Sequence, residues 1–119
     1  FKLKGGGAGW QCLASLFMRI KQMEDAEELY LKLLEKVSSQ RDETNYCRQL
    51  AMIKELQNDH GAALEYYQRV LTVYETILDK NDSELANVYF SIGTTYHKLN
   101  QFFKAVFYLG RSLEIRETI

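Results

Sequence analysis

Apolar residues recur along this chain at steps of three and four, without sustained alternation, so the pattern predicts helices throughout and no strand. Six segments carry it. They run from about Ala8 to Ile20, Glu24 to Val37, Asp42 to Gln57, Ala62 to Leu78, Ser83 to Leu99 and Phe102 to Glu117. Polar breaks separate most of them: Ser38 to Arg41, the tight turn Asn58-Asp59-His60-Gly61, the stretch Asp79 to Asp82, and Asn100-Gln101. Asp42 is the expected N-cap of the third segment. Asn81, with Glu84 three residues on, resembles a capping box ahead of the fifth. Residues 1–9 (FKLKGGGAG) read as a flexible linker or the end of a preceding element, because three consecutive glycines sit poorly in any regular element. No Gly-Lys-Ser/Thr follows to make them a phosphate loop.

The segments also repeat in pairs. Trp10-x2-Leu13-Ala14-x2-Phe17 is followed by Ala26-x3-Tyr30-x2-Leu33. Cys47-x2-Leu50-Ala51 is followed by Ala63-x3-Tyr67-x2-Val70, and Tyr89-x2-Ile92-Gly93-x2-Tyr96 by Ala105-x3-Leu109-x2-Ser112. Sixteen positions separate Trp10 from Ala26, Cys47 from Ala63 and Tyr89 from Ala105. The small residues Ala14, Ala51 and Gly93, facing Ala26, Ala63 and Ala105, let two helices approach closely. Large side chains beside them fill the remaining space. Each pair leaves one apolar face for the next pair to cover.

These motifs resemble the tetratricopeptide repeat, in three units of about residues 7–40, 42–80 and 83–119. The 42-residue spacing from Ala63 to Ala105 and the stretch SELANVYFSIGTTYHKLN are similar to the kinesin light chain-like subclass. The resemblance implies an all-α, right-handed solenoid of three antiparallel helix-turn-helix units over residues 10–119. It also implies a protein–protein interaction scaffold rather than an enzyme, with a peptide or helix of a partner bound in the concave groove lined by the first helix of each pair. The chain departs from the family pattern in places. No proline closes the second helices, Lys54 replaces an aromatic in the second unit, and Phe90-Ser91 stands where this subclass often has paired asparagines.

Composition narrows the partner. Fifteen Lys and Arg against sixteen Asp and Glu give a net charge of −1, without the basic excess of a nucleic-acid-binding domain. No apolar run approaches the ~20 residues of a membrane span. With 46% hydrophobic residues, 119 residues make one globular domain with its own core. The absence of proline leaves nothing to interrupt long helices. Cys12 and Cys47 form no disulfide framework, and the expected setting is reducing and cytoplasmic. Cys47 reads as a core thiol and Cys12 as a surface or groove thiol. His60 and His97 lie in different repeats without ligands at metal spacing, so neither a metal nor a cofactor is expected. His60 reads as a solvated turn residue. The acids Glu24, Asp25, Glu27 and Glu28 open a helix, where they complement its dipole.

On the implied register the groove is lined by Gln11, Ser15 and Arg19 from the first unit. The second contributes Asn45, Arg48, Gln49, Met52 and Glu55, and the third Asn87, Phe90, Ser91, Thr94, His97 and Lys98. Family members that clamp acidic chaperone tails use a set of Lys and Asn here. The matching positions hold Gln11, Ser15, Gln49, Asn87 and Ser91, so that clamp is not assembled. The expected ligand is an extended peptide with an acid near Arg48 and an apolar residue against Phe90. Two alternatives accompany this reading. The segment is the scaffold portion of a larger multidomain protein whose catalytic domain lies outside it, or the last helix, apolar on more than one side through Phe102, Val106, Leu109 and Leu113 alongside Phe103 and Phe107, drives self-association.

Overall fold

The computed structural model describes residues 7–118, which form five helices and, among the described residues, no strand. They are α1 (Gly7–Glu35), α2 (Gln40–Leu56), α3 (His60–Ile77), α4 (Ser83–Lys98) and α5 (Phe102–Thr118). The backbone of each helix approaches closely only its neighbours in the chain, with side-chain ion pairs also joining α2 to α4, so the helices build an all-α solenoid. Packing is most extensive between α4 and α5, then between α2 and α3. The core sits at these two pairs and their junction. Cys47, Ala51, Ala63, Val70, Ala86 and Ile92 are wholly buried there. Burial pushes the Cys47 thiol pKa up, consistent with a packing role.

The helix starts follow local hydrogen-bonding chemistry. The Asp42 N–H donates to Ser39 Oγ at 3.1 Å, so Ser39 caps α2 and Asp42 lies in its first turn. Asp82, rather than Asn81, caps α4, accepting from the Glu84 N–H at 2.8 Å. Asp59 caps α3 by accepting from the Ala62 N–H. The two tight reversals, α2 to α3 and α4 to α5, each turn on an asparagine in the left-handed region, Asn58 (φ 61°) and Asn100 (φ 62°). Asparagine tolerates this conformation better than other side-chain-bearing residues.

The first unit departs from the expected helix pair. The predicted segments Ala8–Ile20 and Glu24–Val37 run together as the single 29-residue helix α1. Counting back five positions from Ala63 and Ala105 reaches Asn58 and Asn100, whereas counting back from Ala26 reaches Lys21. Lysine has no local hydrogen bond to support a left-handed turn. The apolar stripe Phe17, Ile20, Met23, Ala26, Tyr30, Leu33 moreover passes through this point without a break. Helix continuation therefore prevails. Residues 11–22 are all exposed, and among the described helices α1 packs only on α2. Tyr30 meets Tyr46 with ring centroids 6.0 Å apart, and Lys54 Nζ lies 2.7 Å from Glu27 Oε2. Lys54 thus replaces aromatic packing with an ion pair to α1. The Trp10 side chain and residues 1–6 lie outside the described residues.

Close crossing is strongest at Gly93. A Cβ there would lie 2.7 Å from Leu109 Cγ and 3.1 Å from the Leu109 backbone nitrogen. In Gly110, on the same helix pair, a Cβ would meet nothing within 4 Å. Gly110→Ala is expected to stabilise by up to about 1 kcal/mol from helix propensity alone. Gly93→Ala is expected to lose roughly 1 kcal/mol despite the same propensity gain, because overpacking outweighs it. Ala63→Leu, at a fully buried site, is expected to lose about 1–3 kcal/mol. Thermal or urea unfolding measures all three; equal effects at Gly93 and Gly110 would contradict the crossing.

The Lys54 ion pair generates a pH dependence. Hydrogen bonds from Lys54 and then Gln57 hold the Glu27 carboxyl below its ordinary value. A group depressed on folding contributes stability that is complete above its unfolded pKa and is lost as pH falls through the folded one. Glu27→Gln is expected to destabilise by about 1 kcal/mol or less at neutral pH. The difference from the unsubstituted chain should vanish at pH values below the ordinary glutamate range. Urea midpoints measured across that range check it.

Candidate protein-binding groove

Helical spacing puts Asn45, Arg48, Gln49, Met52 and Glu55 on one side of α2, and Asn87, Phe90, Ser91, Thr94, His97 and Lys98 on one side of α4. The buried positions Cys47, Leu50 and Ala51, and Val88, Tyr89, Ile92 and Gly93, occupy the other sides. The structure connects the two sets directly. Lys98 Nζ donates to Glu55 Oε2 at 3.1 Å. Tyr67 of α3 is buried and interacts with Glu55 and Ser91. Burial, reinforced by the Glu55 carboxylate, pushes its hydroxyl pKa up, and a hydrogen bond with Ser91 opposes the shift.

Several groove residues already have partners within the chain. Arg48 Nη1 lies 3.2 Å from Glu84 Oε2 and 3.4 Å from the Tyr74 hydroxyl. Arg116 of α5 donates to Asn87 Oδ1 at 3.1 Å and lies over the Phe90 ring. The His97 ring meets Phe102 edge-on, with centroids 5.6 Å apart. Met52 and Phe90 remain about half exposed. At one end, Arg41, Asn45, Arg48, Tyr74, Leu78 and Glu84 line a cleft of about 460 Å³. Gln11, Ser15 and Arg19 are not brought into this surface. They lie on the exposed first half of α1, where only Arg19 approaches α2, in a cleft with Ile53 and Leu56.

Three contributors were not evident from sequence. Glu84 reads as a capping residue, yet its side chain reaches Arg48 while Asp82 does the capping. Arg116, far along the last helix, gives no local signal of its contact with Phe90. His60, expected to be solvated, is largely buried at the start of α3, with Nδ1 2.7 Å from Glu55 Oε1. Carboxylates only accept, so that nitrogen carries the proton. Glu55 thereby ties α2 to α3 and α4 through His60 and Lys98.

Among the described residues no three His, Cys, Asp or Glu side chains cluster to hold a metal, and no helix is long and apolar enough to cross a membrane. Cys12 is exposed and Cys47 is buried. All buried side-chain polar atoms among the described residues have hydrogen-bond partners, including Ser112, which donates to the Ala86 carbonyl at 2.9 Å.

The comparisons agree with this architecture. The crystal structure of BtubC (BKLC) from P. vanneervenii, a kinesin light chain-like repeat protein, superposes with a TM-score of 0.74 at 26% identity. The alignment covers 90% of this chain and 44% of that one, so this chain spans less than half of its neighbour's length. No curated protein matches in sequence. The family model described as tetratricopeptide repeat matches residues 8–75 and again 40–118. These matches, over nearly the whole chain, show that it belongs to the tetratricopeptide repeat family.

Proposed function

We propose that this chain is a protein-interaction scaffold that binds an extended peptide of a partner protein along the exposed side of α2 and α4. Repeats of this family generally mediate protein–protein interaction and form a non-catalytic scaffold. The observation that carries the reading is the groove's mixture of exposed apolar anchors, Met52 and Phe90, with weakly held charges beside them. The Arg48–Glu84 pair is well exposed, and such pairs contribute only ~0–1 kcal/mol, so a ligand carboxylate can displace Glu84 from Arg48. The balanced overall charge supports a protein rather than a nucleic acid as partner. The unpaired cysteines support a reducing, cytoplasmic setting.

A second reading is favoured by α5. Phe102, Phe103, Val106 and Phe107 are all exposed there, Phe103 almost completely at 95%. An array normally covers such a face with the next repeat or a polar cap. This supports a scaffold segment within a longer array or multidomain protein, and self-association through α5 when the segment is alone. Phe103→Glu with Phe107→Glu is expected to remove that association in sedimentation experiments without loss of helical content.

For the groove, the probe is an acidic–apolar peptide selected from a random library, with affinity read by fluorescence anisotropy. Arg48→Glu is expected to weaken binding by about tenfold or more, since it replaces attraction with repulsion. Phe90→Ala should also weaken it, by removing an apolar anchor. Glu84→Gln should tighten binding a few-fold by freeing Arg48, and added salt should weaken it. Unchanged affinity in both Arg48→Glu and Phe90→Ala would move the site off this face.

A further inference from the structure

We propose that the first half of α1 docks onto the second half of α1 in a second copy of this chain, giving a reciprocally exchanged dimer. The two halves are the two helices of one repeat, by the same register that closes the other pairs. Leu13 and Ala14 match Leu50 and Ala51 of α2 and Ile92 and Gly93 of α4. Those four residues are buried against a following helix, whereas Leu13 is 42% exposed and Phe17, the counterpart of buried Tyr96, is 64% exposed. The receiving surface is open as well. Ala26 is only partly buried, while its counterparts Ala63 and Ala105 are buried, and with Met23, Ile53 and Leu56 it lines an open cleft of about 450 Å³ that Arg19 and Gln22 edge.

Charge complementarity points to the same occupant. Residues 7–23 carry Arg19 and Lys21 and no acid. Residues 24–35 carry Glu24, Asp25, Glu27, Glu28 and Glu35 against the single base Lys32. An antiparallel docking of one half on the other brings the two bases beside the acids that open the second half. Within one copy this docking needs a reversal at Lys21, where the other two pairs use Asn58 and Asn100 at positive φ. Between two copies it needs none, because α1 stays straight and each first half reaches the other copy's second half. The close crossing of Gly93 with Leu109 translates in register to Ala14 with Tyr30, now between copies. The exchange also places the partner subunit's Gln11, Ser15 and Arg19 beside Arg48 and Gln49. That last consequence rests on the groove reading, while the pairing itself does not.

The test uses the full chain carrying Phe103→Glu and Phe107→Glu, so that α5 cannot associate. Sedimentation equilibrium is expected to show a dimer whose mass falls to the monomer at low concentration, and Lys21→Asn is expected to shift it to monomer by permitting the reversal. In a Cys12→Ser background, Ala14→Cys with Tyr30→Cys should form a disulfide between copies on a non-reducing gel. Adding Lys21→Asn should convert this to a disulfide within one copy. A monomer at all concentrations up to sub-millimolar, a dimer that Lys21→Asn leaves intact, or a disulfide confined to one copy with Lys21 in place would each overturn the proposal. The sedimentation result stands by itself if Tyr30→Cys unfolds the chain. Binding of the groove peptide plays no part in these readouts, so failure here and failure of the groove reading are distinguishable.

Discussion

The two antiparallel helix pairs of this chain, α2 with α3 and α4 with α5, each meet at buried small residues. Gly93 against Leu109 is the tightest instance, where the space for even one methyl group is already filled. Ala51 and Ala63 perform the same service between α2 and α3, and both are fully buried. The crossing sets the distance between helices. That distance lets Tyr67, Tyr89 and Tyr96 fill the flanking space, and it fixes which sides of α2 and α4 remain outward. The groove residues therefore owe their common orientation to the small residues behind them. A crossing also requires that the chain reverse within a few residues, which only certain side chains permit.

The charges on the outward sides of α2 and α4 are held mostly by exposed pairs. Arg48 with Glu84 and Lys98 with Glu55 are contacts between helices, with both lysine and arginine substantially exposed. Such pairs hold side chains in place weakly and are screened by salt. Glu55 differs, being largely buried and held by His60 as well as Lys98. A ligand can therefore replace Glu84 on Arg48 more easily than it can strip Glu55 of its partners. In the proposed peptide-binding reading, this asymmetry favours the Arg48 end, with its cleft against Tyr74 and Leu78, as the place for a ligand carboxylate.

Most of the fold was legible because repetition compounds weak signals. One helical stripe is ambiguous, but the recurring sixteen-residue offset fixed the pairing of α2 with α3 and of α4 with α5, their small crossing residues and the buried Cys47, and failed only in the first unit. The absence of a reversal in the first unit was illegible to periodicity because a continuous stripe and a folded-back pair present the same spacing. The difference lay in a single position, Lys21 against Asn58 and Asn100, and it follows from backbone sterics rather than from hydropathy. The capping at Ser39 and Asp82, in place of Asp42 and Asn81, reflects competition between adjacent residues of similar capping strength. The partners of Arg48 and Phe90 depend on side chains 36 and 26 positions away, beyond any local pattern.

The energetics of α1 explain why one residue has such reach. Leaving Leu13 and Phe17 exposed forgoes roughly 1.5–3 kcal/mol for each side chain that could be fully buried. A left-handed residue other than glycine or asparagine costs about 1–2 kcal/mol. Closure within one copy incurs this strain once per chain, so a pair of closed monomers carries it twice. Exchange between copies gains the same buried surface and avoids both strained turns, against the loss of independent motion on association. The balance is thus set by chain concentration on one side and by the identity of residue 21 on the other. A solenoid can in this way carry its oligomeric state in a turn residue that touches neither the core nor the groove.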